Sequence, residues 1–317
     1  MSMEKSGSTV INQCLNVQEE ESVIVITDAK RRKIAESIVE ESRNIAKNTV
    51  LMEIEETGGH GSEPPIIVSE AMKKADVVVA PTTFSLSHTK ARKNACSEGA
   101  RIATMPGITK KMFKTTLRAD YEDIRRRCEK LLSMVKDSET ISVKTPSGTD
   151  LKLNVREDFW HKDTGIIHER GSFGNLPAGE VDGAPINMEG KLVVDFFKSG
   201  GNVFAPSGTI VEISGNRAVS IDTECDLSRA FEKVKNGDNI AELGIGTNPE
   251  AELVGNILQD EKVLGTCHVA FGDSTSYGTG IDSEIHWDAI LKSPTIMFDD
   301  KTIMEKGDLR CKFERKT

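Results

Sequence analysis

The first half of the chain alternates short apolar runs with amphipathic stretches, and this alternation limits the folds open to it. β-Branched runs occupy residues 22–27 and 77–80, and further strand-like segments lie at 49–54 and 101–105. Segments with helical periodicity lie between them, the clearest at residues 30–47, where isoleucines recur on one stripe. Because strands that alternate with helices usually pair in parallel, the pattern predicts a doubly wound parallel sheet.

A long amphipathic helix is predicted over residues 119–136, and the spacing of apolar residues changes after it. Beyond it, alternating segments such as 141–145 and 150–155 are separated by turn sequences, which is typical of antiparallel sheet. We therefore predict a Rossmann-like α/β domain over residues 1–138. An α+β domain with a mixed or antiparallel sheet is predicted over residues 139–317.

Histidines lie in two loops that follow predicted strands of the first half. Ligands of open parallel sheets bind beyond the carboxyl ends of the strands, where these loops lie. His88 is the better candidate to contact a substrate, and His60 is the weaker one; an ordinary solvated histidine is the alternative for both. The glycines at 58, 59 and 61 lack the dinucleotide-binding spacing, and no Walker lysine is present, so nucleotide binding is not expected.

Charge and cysteine usage exclude several classes of protein. The formal net charge is -9 and no polybasic stripe occurs, so nucleic acid and anionic membranes are not expected partners. No paired spacing relates the six cysteines, which argues against a thiolate zinc site and a disulfide framework. They are Cys14, Cys96, Cys128, Cys225, Cys267 and Cys311. With no signal-like or membrane-spanning apolar segment, we expect a soluble cytoplasmic protein.

Three strand-like segments between residues 239 and 288 carry side chains that can bind metal. Glu242 lies in the first, His268 in the second, and His286 and Asp288 flank a tryptophan in the third. Alternation along a strand places these groups on one face and apolar residues on the other. Imidazole with carboxylate suits zinc, cobalt, manganese or ferrous iron.

The charge of these segments also favours a metal. Buried carboxylates need a positive partner, and none of the three segments contains lysine or arginine. They therefore predict a catalytic metal site in the second domain, although each histidine taken alone is also compatible with a core role. Glu180 follows a Leu-Pro-Ala-Gly turn, and its local sequence taken alone is more typical of an exposed turn glutamate than of a ligand.

Several short motifs in combination resemble the aminopeptidase T family of metallo-aminopeptidases. They are NLPAGEV, AELGIGTNP, GTCHVAFGD and IHWD, together with Tyr277. The resemblance implies a two-metal centre held by two glutamates, two histidines and an aspartate, which in this chain are Glu180, Glu242, His268, His286 and Asp288. It also implies a homodimer and a catalytic tyrosine, for which Tyr277 is the nearest candidate, slightly further along than the family pattern places it.

The resemblance leaves two reactions open. In a peptidase, two zinc, cobalt or manganese ions activate water against an N-terminal peptide bond, Glu180 shuttles the proton and Tyr277 donates to the oxyanion. The same superfamily includes the 2,5-dihydroxypyridine dioxygenases, which use one ferrous ion. The peptidases are longer, so in size the chain is closer to the dioxygenases.

In the dioxygenase alternative, two histidines and one carboxylate, His268, His286 and Asp288, hold the iron. Glu180 and His88 then orient or deprotonate a ring hydroxyl. The extra carboxylate of Glu242 makes the peptidase the primary expectation, with a small peptide or other small molecule as substrate. A non-catalytic metal scaffold is the third possibility, disfavoured because a structural site normally closes with four ligands.

Overall fold

A computed structural model describes residues 3–199 and 201–310, so Cys311 lies outside the described residues. Within this range the chain forms two compact units. One unit contains the chain up to Arg125 together with residues 164–178, and the other contains residues 126–163 and the chain from Gly179 onward. The domain boundary expected at residues 138 and 139 stays a prediction.

The segment before Tyr121 contains five α-helices, a π-helix, a 3-10 turn and four strands among its described residues. These are α1 (Met3–Ser8), a π-helix (Thr9–Cys14), β1 (Ser22–Thr27), α2 (Arg32–Arg43), β2 (Asn48–Glu53), α3 (Ile66–Met72), β3 (Val77–Ala80), α4 (Lys90–Ser97), β4 (Arg101–Thr104), α5 (Lys110–Thr115) and a 3-10 turn (Thr116–Arg118).

The rest of the described chain is mostly strand. Its helices are α6 (Tyr121–Lys136), α7 (Asp226–Lys233) and α8 (Ile257–Asp260), with 3-10 turns at Glu157–Phe159 and Thr275–Tyr277. Its strands are β5 (Thr140–Lys144), β6 (Asp150–Asn154), β7 (Trp160–Asp163), β8 (Phe173–Asn175), β9 (Glu180–Gly183), β10 (Ile186–Val193), β11 (Lys198–Ser199), β12 (Asn202–Val203), β13 (Ile210–Ser214), β14 (Arg217–Ile221), β15 (Ile240–Gly246), β16 (Thr266–Gly272), β17 (His286–Lys292), β18 (Thr295–Phe298), β19 (Lys301–Glu305) and β20 (Asp308–Leu309).

The first unit is built on a five-stranded parallel sheet in the order β2-β1-β3-β4-β8. Strands β3 and β4 are buried along their whole length, as expected for the centre of a sheet covered on both faces. The parallel sheet predicted from the alternating pattern is therefore confirmed. Its fifth strand, β8, comes from residues 173–175, which the sequence pattern assigned to the antiparallel half; a three-residue strand has too few positions to show a period.

The second unit contains two main antiparallel sheets. The larger has eight strands in the order β14-β13-β10-β6-β5-β18-β19-β20. The smaller has five strands in the order β17-β16-β15-β9-β7 and is called the site sheet below. The mixed α/β class with a separate antiparallel part is thus as predicted. No helix in the described ranges combines the length and apolarity needed to cross a bilayer.

A buried ion pair ties the start of β4 to the chain before β1. The guanidinium of Arg101 donates to both carboxylate oxygens of Glu21, at 2.7 and 2.8 Å, and to the carbonyl oxygen of Leu15 at 3.0 Å. The Arg101 side chain is 7% exposed and that of Glu21 is 19% exposed. Burial raises the pKa of Glu21, but the bonds from Arg101 and from the backbone outweigh it and lower that pKa below its usual value.

We predict that Glu21→Gln lowers the free energy of unfolding at pH 7 by about 2 kcal/mol, because a charged hydrogen-bond acceptor is lost beside a buried guanidinium. The stabilisation is fully present above the pKa of an unfolded glutamate, about 4.3. It is lost as the pH falls through the lower pKa of the folded protein. Urea unfolding at pH 7 and pH 3 measures both effects. Glu20→Gln is the control, since Glu20 is 78% exposed; equal losses in the two variants would contradict the prediction.

Candidate metal centre

One face of the site sheet carries a concentration of ionisable side chains. The strand register places Gly244 opposite His268, Ala270 opposite Asp288, and Gly246 opposite Glu180. Residues directly opposite one another in an antiparallel pair project from the same face. This face, called the polar face below, therefore carries the five side chains Glu180, Glu242, His268, His286 and Asp288.

The opposite face of the site sheet is apolar. Leu243, Ile245, Val269 and Phe271 are each at most 1% exposed. Alternating residues of the same strands thus go either into a hydrophobic core or onto the polar face, which explains why β15 and β16 are buried at every position. The small residues of the polar face leave room for the larger side chains of the neighbouring strands.

Glu242 lies between the two imidazoles. Its Oε1 is 2.9 Å from Nε2 of His268, and its Oε2 is 2.9 Å from Nε2 of His286. Nε2 of His286 also lies 3.5 Å from Oδ1 of Asp288. Both histidines therefore turn the same ring nitrogen toward the carboxylates.

These contacts shift the pKa values of the carboxylate and of the two imidazoles. Burial raises the pKa of Glu242, but the hydrogen bonds to His268 and His286 outweigh it and hold the pKa well below its usual value. Burial lowers the pKa of His268, but Glu242 outweighs that effect and raises the pKa to about 10. For His286, Asp288 and Glu242 likewise outweigh burial and hold the pKa well above its usual value. The imidazolium protons neutralise the carboxylates, and a divalent ion would take their place, because metal ligands bind in the deprotonated form.

The donor atoms fit a divalent cation. One donor atom from each of Glu242, His268 and Asp288 lies within 4.8 Å of the others. Buried Oδ1 of Asp288 and Oε2 of Glu180 have no hydrogen-bond partner. Nδ1 of His286 lies 2.7 Å from the carbonyl oxygen of Asp273, which fixes the proton on Nδ1 and leaves the Nε2 lone pair for a metal. Buried donors without partners, beside an oriented imidazole, are typical of a metal site.

The orientation of His268 depends on the absence of a side chain at position 244. A Cβ at Gly244 would overlap the imidazole of His268, which lies across the neighbouring strand. Gly244 does not lie in the left-handed region, so its role here is steric.

We predict that Gly244→Ala lowers the free energy of unfolding by roughly 1 to 3 kcal/mol, the usual cost of overpacking. It should also displace the His268 ring, seen as a shifted imidazole resonance in NMR. Gly58→Ala is the control, because a Cβ there would meet its nearest neighbour at 3.9 Å. An unshifted His268 resonance in Gly244→Ala would contradict the steric role.

Sequence reasoning missed a buried lysine at this face. Lys262 is 3% exposed, and its ammonium pairs with the carboxylates of Glu180 and Glu261, the latter at 2.7 Å. Asp163 lies 3.7 Å away. Burial lowers the pKa of Lys262, but the surrounding carboxylates outweigh it and hold the pKa well above its usual value. Lys262 lies one residue before the second metal-competent segment, and a search confined to strands passes over it.

Tyr277 is buried and takes part in a hydrogen bond. Its side chain is 8% exposed, and its hydroxyl donates to Oδ2 of Asp182 at 2.7 Å. Asp182 lies opposite Gly244, so it belongs to the polar face. Burial and the charge of Glu242 raise the pKa of Asp182 to about 7. The structure thus pairs Tyr277 with Asp182, a second polar residue that the sequence did not single out.

The two loop histidines lie in the first unit. His88 is exposed and immediately precedes Thr89, whose side chain caps α4. Nδ1 of His60 lies 3.2 Å from the backbone nitrogen of Ser85, and its ring packs edge-on against Phe84. His60 thus has structural partners within its own unit, and the substrate contact of His88 stays a prediction.

Comparisons with known proteins identify a family whose sequence model matches nearly the whole chain. The sequence model of the NicX family, described as 2,5-dihydroxypyridine 5,6-dioxygenase, matches residues 3–311. No curated protein sequence matches the chain significantly.

Two solved structures share the fold. The 2,5-dihydroxypyridine dioxygenase of Pseudomonas putida KT2440 is 19% identical, with a TM-score of 0.82, and the match covers 98% of this chain and 99% of that one. Wild-type AmpT from Thermus thermophilus is 17% identical, with a TM-score of 0.72 and the same coverage.

Proposed function

The chain belongs to the 2,5-dihydroxypyridine 5,6-dioxygenase family, and from this premise we propose that it is a ferrous-iron dioxygenase that cleaves a dihydroxylated pyridine or a closely related ring. The family assignment supports an enzyme. It favours the ring-cleaving alternative over the peptidase that was the primary expectation from the sequence motifs.

The convergence of His268, His286 and Asp288 carries the proposal. Two imidazoles and one carboxylate with open positions form the ligand set of non-haem ferrous oxygenases. The sequence argument for two ions relied on Glu242 as a surplus ligand. Because Glu242 lies 2.9 Å from both imidazoles, its presence is explained by its contacts with the histidines and does not require a second ion.

The protein's own groups supply binding and orientation. Bound ferrous iron would supply the one-electron chemistry that lets dioxygen react with an aromatic ring. His268, His286 and Asp288 would hold it. The Tyr277 hydroxyl donates to Asp182 and keeps its acceptor lone pairs, which could receive a hydrogen bond from a ring hydroxyl. The pair would orient the ring. Proton transfer by Glu180 and ring contact by His88 remain part of the proposal, as do the homodimer and the cytoplasmic location.

We predict that the iron-loaded protein consumes oxygen with 2,5-dihydroxypyridine and does not cleave aminoacyl anilides. His286→Ala should lose turnover by at least about 100-fold, since even supporting residues of metal sites cost up to that much. Oxygen uptake and anilide release, measured on one preparation, test both reactions. His168→Ala is the control, because His168 lies outside the cluster and pairs with the backbone of Gln13. Anilide cleavage without oxygen uptake would favour the peptidase.

For Tyr277→Phe we predict a loss of about tenfold in kcat/KM with unchanged iron content, which corresponds to one hydrogen bond in the reacting complex. Steady-state oxygen uptake and iron analysis of the same sample measure the two quantities. Unchanged kcat/KM would remove Tyr277 from the site, and a parallel loss of iron would instead assign it to metal retention.

A further inference from the structure

We propose that the ammonium group of Lys262 serves as the protein's own cation at the second of two adjacent metal-competent positions, and so restricts the centre to one divalent ion. The inference rests on the proposed function and deepens it, because it explains how a fold shared with AmpT can present a one-metal site.

Two potential ligand groups adjoin on the polar face and share one residue. The first, called position A, is formed by Glu242, His268 and Asp288 together with His286, whose Nε2 lies 2.9 Å from Glu242 and 3.5 Å from Asp288. The second, called position B, is formed by Glu180, Glu261 and His268. In each group, His286 aside, the donor atoms lie within 4.8 Å of one another. A two-metal centre would therefore have carboxylate ligands available on both sides of His268, whose Nε2 can bind one of the two ions.

The two positions differ in charge compensation. At position B, Lys262 already pairs with both carboxylates, Glu180 and Glu261. At position A, no lysine or arginine of the described residues forms an ion pair with Glu242 or Asp288, and the positive partners are the two imidazoles. Imidazoles bind a metal ion as neutral ligands, so at position A the ion itself would balance the charge of the carboxylates. At position B the ammonium nitrogen of Lys262 already lies against Glu180 and 2.7 Å from Glu261. A divalent ion therefore finds uncompensated carboxylates at position A and an existing cation at position B.

Lys262 is fixed in place by its backbone. Its carbonyl oxygen accepts from the backbone N–H of Asn248 at 2.9 Å, and the N–H of Leu264 donates to the carbonyl oxygen of Asn248 at 3.0 Å. A Cβ at Gly246 would overlap the carbonyl oxygen of Val263, so the glycine lets this segment approach the site sheet. The backbone of Lys262 is thereby anchored next to β15, which keeps its side chain within reach of position B.

The turn before Lys262 is also anchored. The carboxylate of Asp260 accepts hydrogen bonds from the backbone N–H groups of Val254, Gly255 and Asn256, at 2.7 to 2.9 Å. The backbone is thus held on both sides of Lys262, and the side chain is 3% exposed, so the ammonium is buried at position B. One oxygen of Glu180, Oε2, has no hydrogen-bond partner and lies 3.8 Å from Nε2 of His268, so it faces the shared residue.

The test counts ions in Lys262→Met, which keeps the length of the side chain and removes its charge. Wild type, Lys262→Met and Lys262→Arg are stripped with chelator, loaded with Mn²⁺, dialysed and analysed for metal per chain. We expect about one ion in wild type and in Lys262→Arg, and about two in Lys262→Met, as in two-metal sites. The double variant Lys262→Met/Glu180→Gln should return to one, because position B then loses an anionic ligand. Two ions in wild type, or one in Lys262→Met, would overturn the proposal.

A second measurement covers the case in which Lys262→Met is unstable. Without the ammonium, Glu180 and Glu261 lack a buried counter-charge, so the metal-free variant should unfold at a lower temperature than wild type. Saturating Mn²⁺ should then raise its unfolding temperature more than it raises that of wild type. A variant that remains unfolded, or that gains no more than wild type does, would assign Lys262 to fold stability alone.

The ion count separates this inference from the proposed function, because it requires no substrate. One ion in wild type and two in Lys262→Met, without oxygen uptake in the dihydroxypyridine assay, would uphold the role of Lys262 and reject the dioxygenase. Oxygen uptake by a wild-type protein that binds two ions would do the reverse.

Discussion

Charge compensation on one buried face of a five-stranded antiparallel sheet is the constraint on which the second unit depends. Glu180, Glu242 and Asp288 are each less than 8% exposed, and burying a carboxylate without a partner costs several kcal/mol. The chain meets this cost in two ways, with imidazoles around Glu242 and with the ammonium of Lys262 beside Glu180. In the proposed one-metal site the imidazoles bind the metal ion and the ammonium stays beside Glu180, so the two kinds of positive partner separate the two ends of the face.

Small residues allow this face to exist. Gly244 makes room for the His268 ring, and Gly246 makes room for the backbone that carries Lys262. Larger side chains at these positions would push the ligands away from one another or keep the lysine out. The same strands carry leucine, isoleucine, valine and phenylalanine on their other face, and packing of those residues holds the backbone that aims the ligands. The geometry of the site and the packing of the core therefore depend on the same alternation of polar and apolar residues along these strands.

Fold alone does not distinguish the two reactions that the motifs left open. A dioxygenase and AmpT both align over 98% of the chain, with TM-scores of 0.82 and 0.72, and function is a property of sites rather than folds. The arguments that separate the two reactions come from contacts in the site and from the family match. Glu242 contacts both imidazoles, Lys262 pairs with Glu180, and the family match covers residues 3–311. These features agree with one metal ion and with chemistry on an aromatic ring.

The sequence by itself determined the parallel and antiparallel parts of the fold and the residues that could bind metal. Period and composition report which side chains are buried, and burial decides local structure, so β1, β3, β15 and β16 could be predicted from the sequence. Only the tertiary structure decided which of these side chains contact one another. The pairing of Lys262 with Glu180 joins residues 82 apart, and Tyr277 and Asp182 are 95 apart. Such pairs depend on which strands become neighbours and on how closely a glycine lets another segment approach, and no local pattern encodes either.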